Sequence, residues 1–330
     1  MSAMRRNLQA GRRRNGALSL DLFTEDDLVD IHQATLEVLS DAGVFVEDAE
    51  ARRVLASGGC VVDDETRTVR IPPYVVEAAV HSAPSTVVLA ARDPANDFVM
   101  GPGRVGFTNF GEGIKIVDVE TGVVREPTKQ DVGDSARVVD ALPEVDVYER
   151  AVGASEVSQS VVPLHNAEAA FANTSKHIFI GPGNGVLLRR IVDMGAAIAG
   201  GMAAFARRPL ISFNTCPVSP LKLVQDTCEI IMGAARTGTA VNILSMAMAG
   251  GSSPVTLAGT MVTHNAEVLA GVTLSQLTRE GAPVVYGSST TAMDLRLAAA
   301  SVGSPECALI SAGVACLARF YLLPSWVAGA

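Results

Sequence analysis

Apolar positions along residues 253–291 change period once, from helix to strand. Leu257, Met261, Val262, Val268, Leu269, Val272, Leu274 and Leu277 spread almost around a helix. A helix apolar on most sides is buried on most sides. Pro254 suits its first position, with Ser253 as the cap. Arg279, Gly281 and Pro283 end it. Val284, Val285 and Tyr286 then form a short apolar run of the parallel-sheet kind, and residues 287–291 turn polar where such a strand leaves the core.

The same alternation recurs upstream and downstream. Strand-like runs cover Asp146–Val152, Lys176–Ile180, Pro209–Phe213, Val241–Met246 and Pro283–Tyr286. Helix-like runs follow at 163–174, 186–206, 222–236, 255–279 and 304–322. Strand-then-helix units repeating every 30 to 45 residues or so predict a (β/α) barrel. An open doubly wound sheet is the rival. No GxGxxG follows any strand, and Pro182 removes an amide donor from Gly181-Pro182-Gly183, so the barrel is favoured.

The first part of the chain reads differently. Residues 1–20 form a basic arm. Thr24 and Asp27 make a capping-box-like start to a helix bearing Leu28, Ile31, Val38 and Leu39, which Gly43 ends. A short helix at 49–56 precedes a hairpin of Val61-Val62 against Val69 and Ile71, Pro72-Pro73 opens a third helix, and Ser85–Ala90 is a strand. Phe107–Phe110 and Ile114–Val119 turn at Glu120-Thr121-Gly122 and return through Val123-Val124 as a hairpin. Thr128 with Asp131 caps a helix that runs to about Leu142. The expected organisation is thus an arm at 1–20, an α+β cap with hairpin at 21–143, and a barrel from 144 onward.

Composition narrows the function classes. The chain is 48% hydrophobic and 18% charged, sparing for a monomer's surface, so a homo-oligomer is expected. A net charge of -9 disfavours nucleic acid as a partner. The five cysteines form no CxxC pair, which fits a reducing cytoplasm. The histidines are scattered, so a dedicated zinc site has little support. The most apolar windows are broken by Gly250-Gly251, Pro254 or Arg319 and read as barrel core rather than membrane spans.

Residues 209–330 hold only five basic and six acidic residues, about half the density of the whole chain, and a sixth strand begins at Ser325-Trp326-Val327. A parallel barrel of five or six strands leaves an open apolar edge. The expectation is therefore an incomplete (β/α)8 barrel of the TIM type. Four segments resemble the trimethylamine methyltransferase (MttB-type) family: DIHQATLEVLSDAGVFVED, ARRVLASGGCVVD, VTLAGTMVTHNAEVLAGVTLSQLTREGAPVVYGSS and ACLARFYLLPSWVAGA. The likeness runs from about residue 22 to 330. It implies methyl transfer from trimethylamine to the Co(I) form of a corrinoid (cobalamin) carried by a cognate partner protein, in methylamine one-carbon metabolism and methanogenesis. No cofactor is bound directly.

Members that use trimethylamine carry pyrrolysine, encoded by an in-frame amber codon, shortly after an LP-x-x-x-x-G segment, which here is Leu323 to Gly329. The resemblance thus implies that this electrophile would follow Ala330 and that the 330-residue form is inactive alone. Two alternatives stay open: a pyrrolysine-free methyltransferase for a quaternary amine such as glycine betaine, and a non-catalytic fragment.

An amine is a poor leaving group unless its nitrogen carries positive charge, so the site needs a proton donor and hydrogen-bonding groups. In a barrel these lie where strands end. Glu156 is the candidate proton donor or counter-charge, with a solvated loop carboxylate as the alternative. Tyr286 is the candidate amine-facing ring, with packing as the alternative. Asn184, Asn214, Ser245 and Ser288 are candidate substrate-binding groups, with Asp294 a further strand-end residue. His264 and Glu267 share a helix face. Glu267 is expected about 20 Å from the barrel mouth, as an interhelix or subunit-interface group.

Overall fold

The structure, a computed structural model, describes residues 22–101 and 103–327. The basic arm therefore lies outside the described residues. Two compact units interleave along the chain. One holds 88–214 with 237–239, and the other holds the described residues through 87, 215–236 and those from 240 onward.

The second unit opens with α1 (Glu25–Glu37), started by the predicted capping box. The Asp27 amide donates to Thr24 Oγ1 at 3.1 Å, and the Thr24 amide donates to Asp27 Oδ2 at 2.8 Å. A π turn, Val38–Ala42, leads to Gly43 at φ 74. A Cβ there would meet the Val69 carbonyl oxygen at 2.5 Å, so glycine is required on two counts. Next come α2 (Ala49–Ser57), the antiparallel hairpin pairing Val62 with Val69, and α3 (Pro73–Ser82).

In the first unit, α4 (Lys129–Ala141) starts from the Thr128–Asp131 capping box. Asp131 also accepts two bonds from Arg125, at 2.7 and 2.9 Å. Three parallel strands follow: β1 (Val147–Glu149), β2 (His177–Ile180) and β3 (Ile211–Thr215). They pair in chain order, Glu149 beside Phe179 and Phe213 beside Ile180. α5 (Val162–Asn173) joins β1 to β2. The single helix expected at 186–206 is two, α6 (Gly185–Ala199) and α7 (Met202–Arg207). Gly200 and Gly201, at φ 85 and 126, break it because neither is helical.

Residues 107–113 correct the hairpin expectation. Ile116-Val117 does pair with Val124-Arg125. Residues 107–113 instead run parallel along the free edge of β1, with Thr108 beside Val147 and Gly113 beside Val152. The Asp146 amide donates to the Phe107 carbonyl at 2.8 Å, and the Gly113 amide to the Ala151 carbonyl at 2.7 Å. An edge strand's unpaired amides are thereby satisfied.

The rest of the second unit carries β4 (Val241–Ser245), β5 (Val284–Ser288) and β6 (Ser325–Val327), again parallel and paired in chain order. Lys222-Leu223, expected at the head of a helix, forms a short strand beside Phe45 and Val46, so α8 (Gln225–Thr237) starts later. α9 (Leu257–Thr278) lies between β4 and β5, with 15 of its 22 residues buried, which matches its all-round apolar pattern. Its cap is Thr256, whose side chain accepts from the Gly259 amide, and not Ser253. Pro254 sits outside the helix, where its carbonyl takes the Thr260 hydroxyl at 2.7 Å. A small antiparallel pair, Thr291–Asp294 with Ala299-Ala300, precedes α10 (Pro305–Phe320) and β6.

The architecture is an incomplete (β/α)8 barrel with an N-terminal α+β cap: among the described residues, three parallel strands in each unit, with helices alternating between them. No helix among the described residues is long and apolar enough to cross a membrane.

Candidate functional site

Alternation along β1 decides the chemistry of the first unit. Tyr148 points into the helix layer, where its hydroxyl meets Ser135 Oγ at 3.0 Å and the Val132 carbonyl at 3.2 Å. Its neighbour Glu149 therefore faces the opposite side, the barrel interior. Asn214, near the end of β3, lies on that side too and donates from Nδ2 to Glu149 Oε1 at 2.9 Å. Asn109 pins the Glu149 backbone from both sides: its Nδ2 donates to the Glu149 carbonyl at 2.7 Å, and its Oδ1 accepts from the Glu149 amide at 3.0 Å.

Burial pushes the Glu149 carboxyl up to about 7, and the Glu112 charge adds to this. The Asn214 hydrogen bond and the Arg150 charge oppose both. A strand-end carboxyl that changes charge near neutral pH can give and take a proton. Further along the same face, His177 is fully enclosed between the Ala90 carbonyl and Ser212 Oγ, each at 2.8 Å, and burial lowers it to about 4. It is a neutral packing group.

The sequence candidates fall in several places. Glu156 is exposed and accepts from the Lys129 amide at 2.8 Å, an extra cap on α4. Asn184 caps α6, its Oδ1 taking the Val186 and Leu187 amides at 3.0 and 2.9 Å. Asn214 meets Glu149. In the second unit Tyr286, Ser245 and Ser288 all look toward the helix layer, because they share one strand parity. Tyr286 is fully buried and donates to Asn265 Oδ1 at 2.7 Å, and burial holds its hydroxyl well above the ordinary tyrosine range. Ser288 Oγ accepts from the Thr290 amide at 3.1 Å. Asp294 closes a turn through the Arg296 and Leu297 amides.

Ser245 donates to Glu267 Oε2 at 2.7 Å. This corrects the placement of Glu267. It is 1% exposed and also accepts from Ser219 Oγ and the Leu221 amide, each at 2.9 Å. It ties the end of β4 to the segment after β3 inside its own unit, rather than lying about 20 Å from the mouth as an interhelix or subunit-interface group. The cause is the later start of α9 together with its packing against β4. Burial raises the Glu267 carboxyl, and its three donors oppose the rise. His264, one turn before it, is fully buried, with Nδ1 at 2.9 Å from Thr290 Oγ1 and Nε2 without a partner.

Sequence alone does not single out Glu149, because the strand-like pattern runs on to Val152 and puts the residue mid-strand. The strand ends at Glu149. The available signal is a carboxylate that keeps the parity of Val147 in the strand-like stretch 145–152. Among the described residues no group of three His, Cys, Asp or Glu side chains is arranged to hold a metal ion.

A family model described as trimethylamine methyltransferase (MTTB) matches residues 2–330. The chain belongs to this family. It is 50% identical over 329 residues to the trimethylamine methyltransferase MttB of Desulfitobacterium hafniense, covering 100% of this chain and 66% of that protein. It is 45% identical to the MttB of Methanosarcina thermophila, covering 98% of this chain and 68% of that protein. The glycine betaine methyltransferase of Desulfitobacterium hafniense is more distant, at 33% over 92% of this chain. The chain thus spans about two thirds of the length of the MttB relatives. Among solved structures, the Methanosarcina barkeri monomethylamine methyltransferase MtmB superposes with a TM-score of 0.54 at 14% identity, over 97% of this chain and 69% of that one. At that identity the likeness shows the fold alone.

Proposed function

We propose that this chain supplies part of the catalytic barrel of a methyltransferase that moves a methyl group from trimethylamine to the reduced corrinoid of a partner protein, with Glu149 as its proton carrier and Asn214 as its orienting group. The observation that carries the reading is the Glu149–Asn214 pair: a carboxyl at a strand end, on the interior face, poised near neutrality. Identity supports trimethylamine over glycine betaine, 50% against 33%.

The bound corrinoid of the partner supplies the nucleophile that takes the methyl. This chain's residues have a different task. A tertiary amine leaves readily only when its nitrogen bears positive charge, so protons must be moved around it. Glu149 Oε1 accepts from Asn214, which leaves Oε2 to carry the proton toward the interior. The Asn214 hydrogen bond fixes Glu149 in place, and the partial burial of its carboxyl limits its contact with bulk water. The division into a cap through residue 143 and a barrel from 144 belongs to the same proposal, because β1 is the first of the barrel's parallel strands.

The test expresses the protein from its complete gene, reduces the partner corrinoid and follows loss of the Co(I) spectrum after trimethylamine is added. Glu149→Gln should lower kcat roughly 100-fold or more, the usual worth of a positioned proton carrier. Glu149→Gln turning over at the wild-type rate would remove Glu149 from the mechanism. Glycine betaine as the better methyl donor would replace the substrate.

A further inference from the structure

Residues 107–113 press directly on Glu149. A Cβ on Gly111 would stand 2.6 Å from the Glu149 Cδ, so only glycine fits there against the carboxyl. The next residue, Glu112, has φ 68, a left-handed conformation that a residue with a Cβ rarely takes. Its amide donates to the Arg150 carbonyl at 3.0 Å. From that position the Glu112 carboxylate forms an ion pair with the Arg150 guanidinium, whose side chain is 15% exposed. Arg150 Nε is buried without a partner. A left-handed glutamate persists where its surroundings over-determine it, and such positions gather at functional sites.

We propose that Glu112 is a positioning residue for the Glu149–Asn214 pair: it holds the Arg150 guanidinium to itself and sets its own negative charge beside the Glu149 carboxyl. The inference rests on the reading of Glu149 as a proton carrier. Two charges act on that carboxyl, Glu112 from the 107–113 segment and Arg150 from the end of β1. From β3 the facing group is the neutral Asn214, and on β2 the neighbour in register is Phe179. Glu112 favours the proton on Glu149 and Arg150 disfavours it, so their pairing sets the balance.

The experiment reads the titration midpoint of Glu149 itself. The carbonyl-stretch band of its protonated carboxyl is isolated in infrared difference spectra by subtracting Glu149→Gln, with neither amine nor corrinoid present. Glu112→Gln should lower the midpoint by about one unit, a tenfold loss of proton affinity, because the like charge is gone and Arg150 is released. Arg150→Gln should raise it by about one unit. A purely structural part for the loop would leave both variants unmoved or move them the same way, and either result overturns the proposal. Should Glu112→Gln not fold, Arg150→Gln decides: an unmoved or lowered midpoint refutes it. A wild-type midpoint in the ordinary glutamate range does so as well. Failed methyl transfer with these opposite shifts intact would count against the proposed function and not against the role of Glu112.

Discussion

Replacing Glu149 by glutamine should change how stability depends on pH. In the folded protein the Glu149 carboxyl is raised from 4.5 to about 7, chiefly by burial. Between those two values the folded chain keeps a proton that the unfolded chain releases, so stability falls as pH rises through that window. Below about pH 4 both states are protonated and the group adds no pH dependence. Above about pH 8 both are ionised, and the part-buried carboxylate costs the folded state about 3 kcal/mol, at 1.36 kcal/mol per tenfold change in proton affinity. Glutamine has the shape of the protonated acid, can accept from Asn214 and never ionises. Glu149→Gln should therefore match the wild type near pH 4 and exceed it by up to about 3 kcal/mol near pH 8. Urea unfolding across this range measures the difference directly. Parallel stability curves for the two proteins from about pH 5 to 8 would show that Glu149 titrates like a solvated carboxylate, and the site argument would fail with it.

Two further outcomes follow from the second unit. Glu267→Ala strips the acceptor from Ser219 Oγ, Ser245 Oγ and the Leu221 amide, and should cost about 3 kcal/mol or more in urea unfolding; a loss below about 1 kcal/mol would mean that water replaces the carboxylate. Burial lowers His264 from 6.5 to about 3, so the unfolded chain takes a proton that the folded chain refuses, and stability is lost as pH falls through that window. His264→Gln should lessen this acid sensitivity in circular dichroism titrations, and loss of structure at the same pH in both proteins would sink the assignment.

Much of the fold was legible before any coordinates. Thr24 with Asp27 and Thr128 with Asp131 carry their helix starts in four residues each, because a capping box is a local hydrogen-bond exchange. The all-round apolar pattern of 257–277 required a helix enclosed on most sides, and α9 is that helix. Boundaries were less legible. Pro254 and Thr256 both suit a helix start, and choosing between them depends on where the Thr260 hydroxyl finds its acceptor.

The site was legible in one residue type and hidden in its geometry. Asn214 stood out as a strand-end amide, yet its partner Glu149 is 65 positions away. Ser245 also stands at a strand end and Tyr286 two residues before one, and parity turns both toward helices. Nothing local distinguishes the two outcomes, since each strand offers both faces equally.

What the order of residues determined by itself is the succession of strands and helices, the caps that start them, the parallel β/α class and the family, for all of these depend on neighbours a few positions apart or on the likeness of whole segments. What tertiary structure alone decided is which strand face looks inward, that 107–113 lies along β1, and that Glu149 sits where burial and Glu112 hold its proton near neutrality. Those depend on desolvation and charge among groups brought together from distant parts of the chain, and neither quantity exists until the chain has folded.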